Sequence, residues 1–169
     1  MLFVILVLSS CKGCKEKESD ELCSKKTPYL GNDLRVDGYY YVDYDNPPGR
    51  KIIFLYRNGV MLYGSLIDLE ELSTYEESYS NGGYYNAARA NENVWGNFRI
   101  AGSSILYEKW YPSTNNQVAF IHEGEILTDS TFRIIKTYRC DGSGPVAENE
   151  LYQFKYFPTK PDSSNQFVK

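Results

Sequence analysis

The 169-residue chain has one histidine, two methionines, four cysteines and no apolar run longer than the eight residues Met1 to Leu8. That run is far short of the roughly 20 apolar residues a membrane-spanning helix needs. A single imidazole leaves any Ser-His or Cys-His arrangement with only His122 as base, and Phe120 and Glu123 beside it point to a strand position with a satisfied or exposed ring. A basic excess is missing too. The net charge is −4, and the lysines are interleaved with acids, so no nucleic acid partner is expected. The cysteine spacings fit no four-ligand zinc pattern. Carboxylates occur in pairs at Glu76-Glu77, on the polar face of an expected helix, and at Glu123 and Glu125, which flank an expected turn at Gly124; both read as solvated. The oxygen-rich Asp43-Tyr44-Asp45-Asn46 is followed by two prolines and has no bidentate Glu at calcium-loop distance. Gly142-Ser143-Gly144 lacks the strand and helix context of a phosphate cradle. No catalytic residue, metal or cofactor is assigned, and no enzymatic activity is expected.

Tyrosine, by contrast, is abundant, with sixteen residues, and it favours half-buried pleated surfaces while offering amphipathic contact area. From Asp37 onward, short runs of Tyr, Ile, Val and Phe alternate with Gly, Asn and Pro at hairpin intervals. The fold class is all-β, an antiparallel meander. In KIIFLYRNGVMLYGSL, Asn58-Gly59 predicts a two-residue type I′ turn, setting Arg57 opposite Val60, Leu55 opposite Leu62 and Phe54 opposite Tyr63. In VWGNFRIAGSSILYEKWY, a turn at Gly102-Ser103 pairs Ile100 with Ile105, Phe98 with Tyr107 and Trp95 with Trp110. Further strands are expected at Gly38–Tyr44, Val118–Glu123, Glu125–Leu127, Thr131–Tyr138 and Glu150–Phe157. About eight strands with short links suggest a barrel, which removes exposed edges. One segment breaks the period: Leu69, Leu72, Tyr75 and Tyr79 recur at helical spacing, with Asp68 and Glu71 as a capping pair. This predicts one amphipathic helix near residues 68–80, followed by an irregular loop.

The N-terminus carries an address. Leu8-Ser9-Ser10-Cys11, behind the apolar run, resembles the lipobox of bacterial lipoproteins, which implies a signal peptide over 1–10 and a lipid on Cys11. Lys12 rather than Asp follows, which by the same resemblance favours the outer membrane, on its periplasmic or surface face. The next stretch, KGCKEKESDELCSKKTP, has no adjacent apolar pair and reads as a flexible tether over 11–28, leaving 29–169 as a single domain. Export places Cys14, Cys23 and Cys140 where pairing is expected. A Cys23–Cys140 bridge would staple the tether to the domain, with Cys14–Cys140, Cys14–Cys23 and free thiols as the other arrangements.

DGYYY, YRNGVMLYG, WGNFRIAGSSILYEKWYP, GEILTDSTFRI and ELYQFKYFPTKPDSSN together resemble a family of small, functionally uncharacterised, lipocalin-like lipoproteins of Gram-negative bacteria. The resemblance covers most of residues 36–165 and implies a lipocalin-like barrel, but no site residues. A site must be sought in strand alternation. One face of the second hairpin carries Val94, Phe98, Ile100, Ile105 and Tyr107, a uniform core. The other carries Trp95, Asn97, Arg99, Leu106, Glu108 and Trp110. Such a mixture lines ligand pockets, with Trp95 and Trp110 as walls and Arg99 and Glu108 as orienting groups; it also occurs on barrel exteriors, where tryptophans sit beneath a helix. Two functions follow: a membrane-anchored barrel binding a small apolar or amphipathic ligand, or an envelope module meeting another protein through a Tyr/Trp-rich surface.

Overall fold

Alternation along the strands sorts the apolar side chains into two sets, and the fold gives each set a core of its own. The computed structural model describes residues 21–114 and 116–169; the expected signal peptide, Cys11 and Cys14 lie outside the described residues. Eight strands, β1 (Gly38–Asp45), β2 (Pro48–Leu55), β3 (Val60–Ile67), β4 (Trp95–Ala101), β5 (Ser104–Pro112), β6 (Gln117–Thr128), β7 (Thr131–Arg139) and β8 (Val146–Tyr156), pair antiparallel in chain order. β8 returns to pair with β1, Tyr40 opposite Phe154, and the barrel is closed. This is the lipocalin-like all-β architecture.

The first set packs into the barrel interior. Tyr40, Ile53, Met61, Phe98, Tyr107, Phe132, Ile134 and Tyr152 are buried together, and Ile126 of β6 packs against them, so every strand contributes to the interior. The Phe132 and Tyr152 rings stack at 4.7 Å. The second set, Tyr39, Ile52, Phe54, Leu62, Trp95, Trp110 and Ala119, faces outward from β1 to β6 and is roofed by two helices and the C-terminal segment, which bring Tyr79, Ala88 and Val168. These helices are α1 (Leu72–Ser80), entered through a 3₁₀ turn at Leu69–Glu71, and α2 (Gly83–Ala88). Tyr79 is the pin of α1: its hydroxyl donates to Gly64 O, and its ring meets Phe54 edge-on at 5.0 Å.

Several local expectations need correction. Neither Asp68 nor Glu71 makes a side-chain cap bond, because the chain enters α1 through the 3₁₀ turn and Glu71 is already near helical backbone angles. α2 occupies part of the stretch expected to be irregular. The first hairpin is shifted by one residue, with Phe54 opposite Leu62 and Leu55 opposite Met61. Its loop is three residues, not two. Gly59 N donates to Tyr56 O and Tyr56 N to Val60 O, and only Gly59 has positive φ (+83°) in the loop, a type I turn closed by a glycine bulge. The second hairpin has Ile100 opposite Ile105 and Phe98 opposite Tyr107. Gly124 is not a turn but a bulge within the continuous β6. A Cβ there would lie 2.2 Å from Arg133 O, so the strand crossing at that point needs glycine.

The two poles of the barrel differ. At the pole of the β2–β3, β4–β5 and β6–β7 turns, residues 29–37 seal the opening: Tyr29 and Leu34 enter the interior core, Tyr29 N donates to Arg57 O and Arg35 N to Asp129 O, both at 2.9 Å. Residues 21–28, expected to belong to the tether, lie against the barrel wall as a strap. Cys23 and Cys140 form a disulfide with Cα atoms 5.5 Å apart, and Lys26 N donates to Lys169 O.

Candidate functional site

Towards the opposite pole the interior changes character. The same inward parity that places Ile53, Met61, Ile105 and Tyr107 in the core carries Lys51, Tyr63, Lys109 and Tyr111 toward the opening. β1 adds Tyr44, β6 adds Phe120 and His122, β7 adds Thr137, and β8 adds Glu148 and Glu150. The mouth has two lobes that share Lys51 and Tyr111. The larger, about 600 Å³, is bounded by Tyr44, Tyr63, Lys109, Val94, Asn91 and Asn93. The smaller, about 280 Å³, holds both carboxylates with Phe120, His122 and Thr137. Below them Tyr107 and Tyr152, each no more than 2 % exposed, form a floor, their hydroxyls 3.3 Å apart.

The polar groups are arranged, not scattered. Glu150 accepts from Lys51 Nζ at 2.5 and 2.7 Å, from Tyr152 at 3.1 Å and from Tyr44. His122 is sandwiched between Tyr111 Oη on Nε2 and Thr137 Oγ1 on Nδ1, both at 2.9 Å, with its ring stacked on Tyr107 at 4.4 Å. Burial, with Lys51 and Lys109 nearby, pushes its pKa down to about 3, so the ring is neutral and one nitrogen donates while the other accepts. Lys109 is the odd member. It is 5 % exposed, its Nζ donates to Trp110 O at 3.1 Å, and it lies 3.5 Å from the Tyr111 ring centre and 4.8 Å from that of Tyr63. Among the described residues no carboxylate is within ion-pair distance of it. Burial, then the like charge of Lys51, lowers its pKa to about 7. Burial also raises the pKa values of Tyr63 and Tyr111. Tyr44 is raised likewise by burial and by Glu150.

The face singled out from the sequence lies elsewhere. Trp95 is fully buried beneath α2, donating to Ala88 O at 2.9 Å and meeting Tyr85 edge-on. Trp110 joins the same outer core. Glu108 is occupied by the strap: its carboxylate accepts from Cys23 N at 2.7 Å, Ser24 N at 3.2 Å and Ser24 Oγ. Arg99 is exposed. These four residues do not surround one cavity; Trp110 alone borders a surface groove, with Ser24, Asn97 and Phe167. The mouth residues were missed, although their signal was present. Lys109 and Tyr111 follow Ile105 and Tyr107 at the strand period of two, and so belong to the interior face.

Cys23, Cys140 and Glu108 bring their donor atoms within 4.8 Å of one another. With both sulfurs in the disulfide, only the carboxylate remains as a ligand, and the cluster works as a clasp. The mouth, by contrast, offers aromatic walls, hydroxyl donors and an ammonium without an acid partner, the means to hold and orient a small molecule. No family model, curated protein or solved structure matches the chain.

Proposed function

We propose that this protein is a non-catalytic binding barrel, held at the cell envelope by a lipid on Cys11, that takes a small amphipathic molecule into its mouth. The observation carrying the binding reading is the half-filled interior. One pole is sealed and packed, while the other keeps a two-lobed cavity lined by aromatic rings and a few convergent polar groups. An interior meant only for stability has no need of a buried, unpaired lysine, which costs free energy to hold. Titration of the isotope-labelled full chain with a panel of neutral, cationic and anionic small molecules tests it. Binding should shift the backbone amides around Tyr44, Tyr63 and Tyr111 and leave those around Tyr29 and Leu34, at the sealed pole, unmoved; a panel that shifts no mouth residue refutes it.

The anchoring reading rests on Leu8-Ser9-Ser10-Cys11 behind the apolar run. Cys11→Ala should move the protein from the membrane to the soluble fraction, whereas an unmodified, soluble wild type would end it. A second functional reading, contact with an envelope protein, draws on Ile135 and Leu151, which stand exposed on β7 and β8, strands that add nothing to the buried outer core. Leu151→Asp would then abolish co-purification of a partner that Tyr63 and Tyr111 variants leave intact.

A further inference from the structure

The two lobes of the mouth differ in charge, and the difference names a ligand class. Both carboxylates, Glu148 and Glu150, line the smaller lobe, and the larger is lined by two lysines, three tyrosines and two asparagines without an acid. Of the two lysines, Lys51 is engaged by Glu150. Lys109 has only a carbonyl and two ring faces. Ring faces attract a cation but accept no in-line hydrogen bond of ordinary strength, so donor capacity on Nζ is left for an acceptor in the cavity. A carboxylate would use it in a charge-assisted bond in a largely desolvated place, where such bonds are strongest.

The shape of the cavity restricts the rest of the molecule. Its floor is closed by Tyr107 and Tyr152, and beneath them Phe132, Ile53 and Met61 are fully buried. An extended acyl chain has no channel down the barrel axis. The wall is aromatic instead, with Tyr44, Tyr63 and Tyr111 around a space of about 600 Å³, suited to a flat ring that stacks or meets them edge-on. We infer that the larger lobe is a subsite for the carboxylate of a ring-bearing organic acid, with Lys109 as its counter-ion and the three tyrosines as the wall for its ring. The inference rests on the reading of the mouth as a binding site and adds the charge and form of the occupant.

Protonation provides an independent readout. Of the groups facing Lys109, Lys51 on β2 is a like charge paired with Glu150 on β8, His122 on β6 is neutral above about pH 3, and Tyr44 on β1, Tyr63 on β3 and Tyr111 on β5 have raised pKa values. Lys109, titrating about pH 7, is the group whose protonation a bound anion would stabilise. Acid binding therefore takes up a proton at slightly alkaline pH and weakens as pH rises.

The test uses the full isotope-labelled chain with three probes: indole-3-acetate, its neutral amide indole-3-acetamide, and decanoate. Indole-3-acetate should shift the amides of Tyr63, Lys109 and Tyr111 and bind at least about tenfold tighter than the amide, with decanoate weaker than either. Lys109→Met, close in volume, should erase the preference for acid over amide and the pH dependence; Lys109→Gln serves if the first variant misfolds. Equal affinity for acid and amide, or a preference that survives in Lys109→Met, overturns the anion assignment while leaving the mouth a binding site. Tight decanoate binding overturns the ring requirement. If none of the three shifts a mouth residue at millimolar concentration, the inference fails, and the wider panel decides whether the binding reading fails with it.

Discussion

Replacing both Cys23 and Cys140 with serine should destabilise the protein by about 2–5 kcal/mol, and the two ends of that range have different physical origins. The bridge joins positions 117 residues apart. Closing so long a loop removes chain entropy from the unfolded state worth about 5 kcal/mol in the simplest treatment. That full loss appears only if the strap stays docked once the bridge is gone. Docking then depends on the bonds of Cys23 and Ser24 to Glu108, on Asn97 Nδ2 donating to Ser24 O at 2.6 Å, and on Lys26 with Lys169. Bonds to a charged acceptor contribute about 1.5–3 kcal/mol each when buried, and these are part-exposed, so the strap is held by roughly 2–4 kcal/mol. Where the strap detaches before the barrel unfolds, the measured loss is capped at that amount. Urea unfolding of the oxidised protein and the double-serine variant separates the cases. A loss near the upper limit with unchanged denaturant slope means a docked strap. A smaller loss with a reduced slope means a detached one, because less surface remains to be exposed on unfolding. A loss below about 1 kcal/mol at unchanged slope would refute the reasoning.

Further expectations concern the buried polar groups and the tryptophans. Lys109 has a folded pKa near 7 against an ordinary 10.5; between those values the unfolded chain binds more protons, so stability rises with pH. Lys109→Met should remove most of that rise and raise stability at pH 6, leaving the smaller contribution of Lys160, lowered by burial to about 8; a variant less stable than wild type at pH 6 would contradict this. His122, at about 3 when folded and near 6.5 when unfolded, makes stability fall as pH drops through that interval, so His122→Gln should flatten the loss between about pH 6.5 and 4.5, above the range where carboxylates titrate. Trp95→Ala should cost about 3–5 kcal/mol and exposed Arg99→Ala less than about 0.5 kcal/mol in thermal unfolding; similar costs for the two would mean that Trp95 is not packed beneath α2.

The barrel was legible because hairpin signals and strict alternation are local. Gly102-Ser103 sets the Ile100–Ile105 register with no help from the rest of the chain. Asn58-Gly59 misled because tertiary contact decides there: a Cβ on Gly59 would lie 2.2 Å from Thr27 O, so the strap passes directly over the turn. The strap itself was hidden by composition. Residues 21–28 are mostly polar, and apart from Leu22, which packs against the outer core, they dock through backbone N–H groups, one disulfide and a buried carboxylate, none of which hydropathy weighs. The second helix was hidden for a related reason, since Gly83–Ala88 is too short to show a period. The mouth is harder to read from sequence because the interior face of the second hairpin is uniformly apolar up to Tyr107. The interior face turns polar only beyond Tyr107, where Lys109 and Tyr111 continue the same parity past the packed core.

The disulfide also sets the point at which the N-terminal chain leaves the barrel. Cys140 follows β7 at the open pole, so the bridge fastens the N-terminal chain there, before it runs down the wall to Tyr29 at the sealed pole. Eleven residues separate Cys11 from Cys23, a leash of at most roughly 40 Å at full extension. With a lipid on Cys11, that leash leaves from the side of the mouth, and the opening is kept within reach of the bilayer surface. Without the bridge, and with the strap released, the last fixed point retreats to Tyr29. The leash then grows by half, and its root moves to the opposite end of the molecule. If Cys11 carries a lipid, a covalent bond that contributes to stability thereby also places the root of the leash beside the mouth, the same end of the barrel that we propose takes the ligand.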